Sequence, residues 1–319
     1  MRVLIAGAAG FIGSHALDHF VASGDDVWVI DKLTYAGDME RIKKHFSMYA
    51  GKFLCEDIAY DFEVERMVNE CAPDVIVNFA ADTHVDNSIA NSRPFVRSNF
   101  EGACNLMAAA RKHDALYVHI STYEVYGVPE QDATRGFVVT DPLRPRNPYA
   151  ATKAAADLML VANENTYGQP FLAIRPSNNF GPRQHEEKFL PKLVGCLVPQ
   201  PQSGNKSDFP LYGDGLQVRE WTYAPDTAKI VREAIVSGRR GFLNVSSGVS
   251  MTNLAIIERV KEILAAEGKL GNPDAVVRVK DRPGHDRRYW IESDVPASEF
   301  TPFDVALRET VEHYFQRFA

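Results

Sequence analysis

The sequence predicts a doubly wound, parallel α/β sheet with a smaller C-terminal lobe, and three observations lead to this prediction. Short apolar runs alternate with stretches of helical spacing through the first 175 residues. The first apolar run ends in three glycines spaced three residues apart, Gly7, Gly10 and Gly13. After Pro176 the alternation stops and prolines become frequent. Such alternation is typical of parallel sheets with helices on both faces, and the proline-rich part indicates a less regular lobe.

The predicted strands are short and apolar, as expected for strands that are buried on both faces. They comprise residues 2–6, 27–30, 52–55, 75–78, 116–120 and 171–174. Apolar residues at helical spacing predict the helices between them, and Gly24 follows the first helix as a stop signal. These helices comprise residues 11–23, 63–71, 99–113 and 149–167, and helical spacing resumes at 226–236 and 253–267.

The change of pattern after Pro176 divides the chain into two predicted parts. Residues 1–175 form the sheet domain, which is partly completed by about 216–239, and residues 176–319 mainly form a substrate lobe. A polar loop at 204–208 indicates a neutral surface insertion in this lobe. A chain of 319 residues is long enough for one large α/β domain with a smaller lobe.

Composition and charge argue against several classes of protein. A hydrophobic content of 45% and a charged content of 24% are ordinary for a globular protein, and a net charge of −7 disfavours a nucleic-acid surface. The four cysteines have no C-x-x-C spacing and are expected to be reduced. No apolar run is long enough to cross a bilayer, and the first strand leaves no room for a signal peptide. We expect a cytoplasmic protein that binds neither nucleic acid nor membrane, and no metal site.

The three glycines lie between a predicted strand and a predicted helix, which is the context of a dinucleotide site in a Rossmann fold. Gly7 permits a tight turn, Gly10 lets the backbone approach a pyrophosphate, and Gly13 lets the helix pack closely with its positive N-terminus towards the phosphates. Asp31 ends the second strand, 18 residues after Gly13, where its carboxylate would accept hydrogen bonds from ribose hydroxyls. A carboxylate at this position repels a 2′-phosphate, so the sequence predicts NAD rather than NADP.

Further residues after the strands are candidates for contacts with NAD. Asp57 follows the third strand, where it can either touch the adenine or cap a helix. Ala80 and Ala81 follow the fourth strand and leave room for the cofactor or for packing. The full set of predicted NAD-binding residues is Gly7, Gly10, Phe11, Ile12, Gly13, Asp31, Lys32, Thr34, Asp57, Ile58, Ala80, Ala81, Asn99, Tyr149 and Lys153.

Tyr149 and Lys153 are four residues apart at the start of a predicted helix, so their side chains share one face. A tyrosine with a pKa of ~10 is a poor base at neutral pH. A neighbouring cation and a positive nicotinamide favour its phenolate, which can then take a proton from a substrate hydroxyl as a hydride departs. Thr122, after the fifth strand, can hydrogen-bond the same oxygen. This spacing also occurs by chance on exposed helices, but behind a dinucleotide site it indicates catalysis.

With these residues in place, the chain resembles the extended short-chain dehydrogenase/reductases and, within them, the dTDP-glucose 4,6-dehydratases. The resemblance covers nearly the whole chain. The segments that match are 31–37 (DKLTYAG), 80–86 (AADTHVD), 178–182 (NNFGP), 211–215 (LYGDG), 218–221 (VREW) and 281–289 (DRPGHDRRY). The last segment is long and highly specific. The resemblance implies an NAD-dependent lyase that acts on a nucleoside-diphosphate hexose, with a dTDP-, UDP- or other nucleotide.

The resemblance also implies roles for individual residues. A hydride leaves carbon 4 of the hexose, Glu124 removes the proton on carbon 5, an acid protonates the departing 6-hydroxyl, and the hydride returns to carbon 6. The implied catalytic residues are Thr122, Tyr123, Glu124, Tyr149 and Lys153. The implied substrate-binding residues are Thr83, Asn179, Lys188, Leu190, Arg219, Asn244, Arg282, His285 and Tyr289. Arginines such as Arg219 and Arg282 suit a diphosphate because guanidinium binds its oxygens bidentately.

Tyr123 departs from the family pattern, in which an aspartate at this position acts as the acid. A phenol is a weaker acid and a larger side chain, so three outcomes are open. Tyr123 serves as the acid, with elimination complete or stopped at a 5,6-alkene. Alternatively, the enzyme stops at oxidation and acts as a 4-epimerase or uronic-acid decarboxylase. In the third outcome, the hexose binds in a different position, because Tyr123 fills space that the smaller aspartate leaves free.

Two further expectations concern catalytic competence and assembly. A non-catalytic, NAD-sensing protein is the remote alternative, and the presence of both Tyr149 and Lys153 argues against it. Small residues in the predicted helices at 99–113 and 149–165 can pack across a two-fold axis, as in relatives. We therefore predict a homodimer, although small residues also serve packing within one chain.

Overall fold

The computed structural model describes residues 1–46, 52–199, 208–281 and 286–319. The strands in these residues are β1 (Arg2–Ala6), β2 (Asp26–Ile30), β3 (Phe53–Leu54), β4 (Val75–Asn78), β5 (Leu116–Ile120), β6 (Phe171–Pro176), β7 (Asn178–Phe180), β8 (Phe209–Tyr212), β9 (Val218–Tyr223), β10 (Gly241–Val245), β11 (Ser250–Thr252) and β12 (Val276–Val279). The α-helices are α1 (Phe11–Ala22), α2 (Lys43–Phe46), α3 (Asp61–Cys71), α4 (Val85–Ala90), α5 (Arg93–Phe95), α6 (Gly102–Lys112), α7 (Pro148–Tyr167), α8 (Phe189–Leu197), α9 (Ala224–Val236), α10 (Asn253–Ala266) and α11 (Phe303–Phe318). A π-helical segment precedes α6, and short 3-10 helices lie at Met39–Arg41, Tyr123–Tyr126 and Ala297–Glu299.

Seven of these strands form one sheet in the order β10-β6-β5-β4-β1-β2-β3. Every neighbouring pair in it is parallel. The first six strands therefore follow the order of a Rossmann fold, whose ligands bind at the carboxyl ends of the strands where the order reverses, here between β1 and β4. The predicted doubly wound α/β fold is confirmed.

Alternating residues of the buried strands contact helices on opposite faces of the sheet. In β1, Val3 and Ile5 belong to a core with α1 and α9, whereas Leu4 and Ala6 belong to a core with α3, α6 and α7. Because side chains alternate along a strand, continuous apolar runs are what a sheet covered on both faces requires. These two cores hold the carboxyl ends of the strands in place.

The C-terminal lobe contains two small sheets, one of β11, β9 and β7 and one of β12 and β8. Its core packs Leu193 of α8, Ile256 of α10 and Val311 of α11 against Trp221 of β9. The apolar spacing of the sequence predicts α10. It does not predict α8 or α11, and it does not predict the strands of the two small sheets, which are only three to six residues long.

The sheet domain is completed by two elements that follow the first part of the lobe. Helix α9 packs against α1, and β10 pairs with β6. The sequence places this completion at about 216–239, which includes α9, while β10 lies just beyond it. The domain boundaries 1–175 and 176–319 stay predictions. In the described part of the chain, we find no helix with the length and apolar character needed to span a membrane.

Candidate active site

The glycine motif forms a turn that leaves the start of α1 open. Gly7 has a φ of +81°, and a Cβ there would lie 2.4 Å from the amide nitrogen of Ala80. A Cβ on Gly13 would lie 2.2 Å from the carbonyl oxygen of Gly7, so both positions exclude a side chain. At Gly10, a Cβ would meet only that same oxygen, at 3.2 Å. The N-cap residue of α1 is Gly10, which has no side chain to cap the helix, so a phosphate can approach this N-terminus.

Asp31 lies beside this turn with both carboxylate oxygens bound to backbone amides. Oδ2 accepts from the amide of Ala9 at 2.8 Å, and Oδ1 accepts from the amide of Leu33 at 2.9 Å. Burial raises the pKa of this carboxyl, while the two amide hydrogen bonds act in the opposite direction. The arrangement holds an acceptor at the end of β2, where a ribose would need one.

A small cavity, which we call the strand-end cavity, lies at the carboxyl ends of β1, β2 and β4. It is lined by nine of the predicted NAD-binding residues, namely Gly7, Gly10, Asp31, Lys32, Thr34, Asp57, Ile58, Ala80 and Ala81. Asp57 accepts a hydrogen bond from the amide of Ala59 at 3.0 Å, and its other oxygen lies 3.6 Å from the Lys32 ammonium. An uncapped helix start, an open glycine backbone and a buried carboxylate therefore fit a dinucleotide.

The strand-end cavity continues into a larger one of about 270 Å³, the central cavity, where the start of α1 meets Thr122, Tyr149 and Lys153. Thr122 and Tyr149 line this cavity together. Burial and the nearby Glu124 raise the pKa of Tyr149, and the hydrogen bond from Thr122 lowers it. Burial lowers the pKa of Lys153 to about 8. Tyr149 alone therefore stays protonated at neutral pH and needs a further positive charge beside it to act as a base.

Asn147 connects the catalytic helix to Glu124. As N-cap of α7, Asn147 accepts a hydrogen bond from the amide of Ala150 at 2.8 Å, and Pro148 occupies the first helical position. The Asn147 amide also donates to Oε2 of Glu124 at 3.1 Å. The residue that starts the helix of Tyr149 therefore also orients the predicted carbon-5 base.

Tyr123 separates the central cavity from a third cavity and is only 4% exposed. The centroids of the Tyr123 and Tyr289 rings are 5.1 Å apart. The Arg219 guanidinium lies 4.8 Å from the centroid of the Tyr289 ring. The Tyr289 hydroxyl donates to Asp286. Burial raises the pKa of Tyr123, and a hydrogen bond with the backbone of Asn178 lowers it. Its phenol is therefore protonated at neutral pH and is a weak acid.

The third cavity, which we call the outer cavity, has a volume of about 460 Å³ and lies between the sheet domain and the lobe. Its cations include Lys188 and Arg219, and its aromatic walls include Phe189, Phe209 and Trp221. Burial lowers the pKa of Lys188, whose ammonium lies 3.4 Å from Glu187. Cations beside aromatic rings suit a diphosphate joined to a base.

Most of the predicted site residues lie around these connected cavities. Thr83, Tyr123, Glu124 and Lys188 line both the central and the outer cavity, and Asn179 lines the central one. Three predicted residues line none of the three cavities within the described residues. These are Leu190 in the lobe core, Asn244 and Asn99. Arg282 and His285 lie outside the described residues, and the individual roles stay predictions.

The two asparagines away from the cavities support the residues that line them. Asn99 accepts a hydrogen bond from the amide of Asp82 at 2.8 Å and donates to Thr152 of α7 at 3.1 Å, so it joins the loop after β4 to the catalytic helix. Asn244 accepts a hydrogen bond from the Tyr126 hydroxyl at 2.8 Å, next to the end of the 3-10 helix of Tyr123 and Glu124.

Asn147 and Asp286 are among the cavity-lining residues that were not predicted as site residues. Asn147 had a signal, because Asn-Pro before helical spacing indicates an N-cap. Asp286 lies in the matched segment 281–289, but its contact with Arg146 at 2.7 Å spans 140 residues of chain and has no local sequence signal.

The chain is similar to a family of known proteins over nearly its whole length. The family model described as GDP-mannose 4,6 dehydratase matches residues 4–299. The chain is 40% identical to the low-salt glycan biosynthesis protein Agl12 of Haloferax volcanii, with 98% of each chain covered. It is 35% identical to a dTDP-glucose 4,6-dehydratase of an Actinoplanes species, again with 98% of each chain covered.

Two solved structures show the same fold. The dTDP-glucose 4,6-dehydratase DesIV of Streptomyces venezuelae, solved with NAD bound, is 33% identical with a TM-score of 0.87, covering 99% of this chain and 97% of the other. The UDP-glucose 4-epimerase of Thermus thermophilus, also in complex with NAD, is 30% identical with a TM-score of 0.86, covering 98% and 99%.

Proposed function

The chain belongs to the GDP-mannose 4,6-dehydratase family, and we propose that it is an NAD-dependent lyase that removes water from a nucleoside-diphosphate hexose. The glycine turn, Asp31 and Lys153 would hold NAD, which would supply the hydride acceptor for oxidation at carbon 4 and the hydride donor for reduction at carbon 6. Full-length relatives named 4,6-dehydratases and the NAD-bound dehydratase structure support this proposal. The nucleotide and the hexose stay open.

The observation that carries the proposal is that Glu124 and the Thr122–Tyr149 pair line one cavity. Tyr149, deprotonated beside two positive charges, takes the proton of the 4-hydroxyl while Thr122 holds the same oxygen. The ketone formed at carbon 4 acidifies the proton on carbon 5. Glu124, oriented by Asn147, removes that proton. An epimerase that inverts only carbon 4 has no use for this second base.

Tyr123 is the group that we assign to the departing 6-hydroxyl. It is adjacent to Glu124 and lines both the central and the outer cavity. Its phenol gives a proton to the 6-hydroxyl, which leaves as water as the electron pair of the carbon 5–hydrogen bond forms the new double bond. Because burial raises the pKa of Tyr123, this step should be slower than with a carboxylic acid.

The same property of Tyr123 favours a second candidate, a 4-epimerase. If the phenol cannot protonate the 6-hydroxyl, oxidation at carbon 4 is followed only by return of the hydride to that carbon. The epimerase structure, 30% identical over 98% of this chain, supports keeping this candidate.

Incubation with a panel of nucleotide sugars in deuterated water separates the candidates, with mass spectrometry and NMR of the products. The proposal expects deuterium at carbon 5 and the loss of one water. An isomer inverted at carbon 4 and free of deuterium at carbon 5 would identify an epimerase. Loss of carbon dioxide from a uronic-acid nucleotide would identify a decarboxylase, and bound NAD without any turnover would favour the sensing protein.

We also propose that two copies associate through α6 and α7. Leu158 is 62% exposed on α7, and the small residues Ala151 and Ala162 are exposed on the same helix. An exposed leucine among small residues suits helix packing across a two-fold axis. Sedimentation should give a dimer for the unaltered chain and a monomer for Leu158→Arg, and a monomeric unaltered chain would refute this. A cytoplasmic location stays a prediction.

A further inference from the structure

Asp157 is a buried carboxylate directly behind the catalytic pair. Tyr149, Lys153 and Asp157 follow one another at intervals of four residues along α7, so all three lie on one face of the helix. The relative exposure of Asp157 is 0% and that of Lys153 is 1%. Lys153 lines the central cavity, whereas Asp157 does not. Asp157 therefore lies outside the lining of the cavity in which we propose that substrate and cofactor bind, one helical turn from Lys153, which lines it.

The hydrogen bonds of Asp157 use only one of its two oxygens. Oδ2 accepts from the Ser121 hydroxyl at 3.0 Å and from Nε of Arg175 at 2.9 Å. Oδ1 is buried and receives no hydrogen bond from any residue that the structure describes. Ser121 immediately precedes Thr122, so the bonded oxygen ties the end of β5 to the catalytic helix. A buried acceptor without a hydrogen bond lowers the stability of the fold unless a nearby positive charge compensates for it. Oδ1 of Asp157 is such an acceptor.

The charges around Lys153 show why this carboxylate matters. Arg175 on β6 and Lys153 are both cations, and Asp157 is the negative charge that acts on Lys153 in the buried region. His119 on β5 stays neutral, because burial and the Lys153 charge hold its pKa well below the usual value. On the cavity side lie Tyr149 and the half-buried Glu124. Without Asp157, the buried Lys153 ammonium would lose the negative charge that favours its protonated form, and burial alone would favour the neutral amine.

We propose that Asp157 is a positioning residue for the oxidation step, which keeps the Lys153 ammonium charged and holds the Ser121–Thr122 strand end against α7. One carboxylate thereby sets both the charge beside Tyr149 and the position of Thr122, which lines the same cavity as Tyr149. The inference rests on the proposed function for its kinetic consequence, but not for its effect on Lys153.

The charge of Lys153 can be measured without any substrate. Reductive methylation by formaldehyde and a borane requires the neutral amine, so the rate at Lys153, followed by peptide mass spectrometry against pH, reports where that amine loses its proton. The full chain should be tested with and without added NAD. Asp157→Asn should lower the midpoint for Lys153 by about one unit or more, because the buried ammonium then loses the carboxylate charge that favours its protonated form.

Two further variants keep the test decisive if Asp157→Asn fails to fold. Arg175→Gln removes the competing cation but keeps a donor for Asp157, so the midpoint should rise. Ser121→Ala removes one neutral hydrogen bond, so the midpoint should stay as in the unaltered chain. Unchanged midpoints in Asp157→Asn or Arg175→Gln, whichever is folded, would overturn the proposal.

Kinetics give the second readout. For Asp157→Asn we expect a decrease of about tenfold in kcat at pH 7, an activity maximum displaced to lower pH, and a KM for the nucleotide sugar within about twofold of normal. A higher KM with an unchanged pH profile would mean a merely structural role and would contradict the inference. If even the unaltered chain turns over no nucleotide hexose, the proposed function fails, while the methylation midpoints still decide the role of Asp157.

Discussion

The two sides of the central cavity are built in different ways. On the oxidation side, Thr122 lies two residues after the end of β5, and Tyr149 and Lys153 lie on the first two turns of α7. On the elimination side, Tyr123 and Glu124 lie on a 3-10 helix of four residues. Glu124 takes its orientation from Asn147, and Tyr123 from Asn178 and Tyr289, all of which are distant in sequence. The first side depends on regular elements and the second on contacts between loops and lobe.

This difference indicates where the chemistry of such a site can change most easily. A helix buried against the sheet fixes the geometry of the Tyr149–Thr122 pair, so substitutions elsewhere disturb it little. A 3-10 helix held by side chains of other segments accommodates a new residue when its partner fits. Here the ring of Tyr123 packs against the ring of Tyr289. We therefore expect variants on the oxidation side to abolish the whole reaction. Variants on the elimination side should block a later step, such as proton removal at carbon 5 or loss of water, while oxidation at carbon 4 continues.

Tyr149→Phe should have the largest effect. Without the phenol, no group of the oxidation side takes the proton of the 4-hydroxyl, so turnover should fall by about 10⁴-fold. The absorbance of the reduced cofactor should not appear with any nucleotide sugar, while NAD stays bound. Tyr167→Phe, at the exposed end of the same helix, is the matched control and should retain full activity. Normal turnover of Tyr149→Phe would remove Tyr149 from its role as the base.

Glu124→Gln should separate the two sides from each other. The amide keeps the shape of the side chain but cannot accept the proton on carbon 5, so incorporation of solvent deuterium and loss of water should both fall by about 10³-fold. Oxidation at carbon 4 should continue, and the absorbance of the reduced cofactor should therefore persist. Glu164→Gln changes an exposed glutamate of α7 in the same way and should behave like the unaltered chain. Deuterium at carbon 5 in Glu124→Gln at the normal rate would exclude this role.

Local patterns explain how much of the oxidation side can be predicted from the sequence. The glycine turn, Asp31 and the Tyr149–Lys153 spacing each belong to one strand end or one helix turn, and β1, β4 and β5 begin and end as predicted. Their chemistry follows from residues that are neighbours in the chain.

The elimination side and the lobe could not be predicted in the same way. The contacts of Tyr123 come from Asn178 and Tyr289, and Asp286 meets Arg146 across 140 residues of chain. Short strands such as β7 and β11 have too few residues for a period to show. Asn244, for which the resemblance implies a substrate-binding role, accepts a hydrogen bond from Tyr126, and that role stays a prediction. The family pattern predicts which residue types occur there, whereas tertiary packing determines what each side chain contacts.

Tyr123→Phe should sharpen the comparison within the elimination side. The ring contact with Tyr289 is kept, but the only proton that Tyr123 can give is lost. Deuterium should therefore still enter carbon 5 while loss of water falls by about 10²-fold. Tyr289→Phe is the control, because it removes the other hydroxyl of the ring pair. It should change the rate of deuterium entry at carbon 5 and the rate of water loss by the same factor. Equal loss of water by Tyr123→Phe and the unaltered chain would show that another group protonates the 6-hydroxyl.

Asp31 offers the mildest test, at the far end of the oxidation side from the sugar. Asp31→Ala removes the acceptor for ribose and leaves the amides of Ala9 and Leu33 without their carboxylate partner, so NAD should bind about tenfold more weakly, a loss of ~1.4 kcal/mol. Asp31→Asn keeps one acceptor oxygen but removes the negative charge. It should therefore narrow the preference for NAD over NADP more than it weakens NAD, because the repulsion of a 2′-phosphate is electrostatic. Both constants can be measured by calorimetric titration. Tighter binding of NADP than of NAD by the unaltered chain would refute the assignment of Asp31. If instead either variant altered the ratio of carbon-5 exchange to loss of water, the cofactor end and the elimination side would be coupled, and the separation of the two sides would fail.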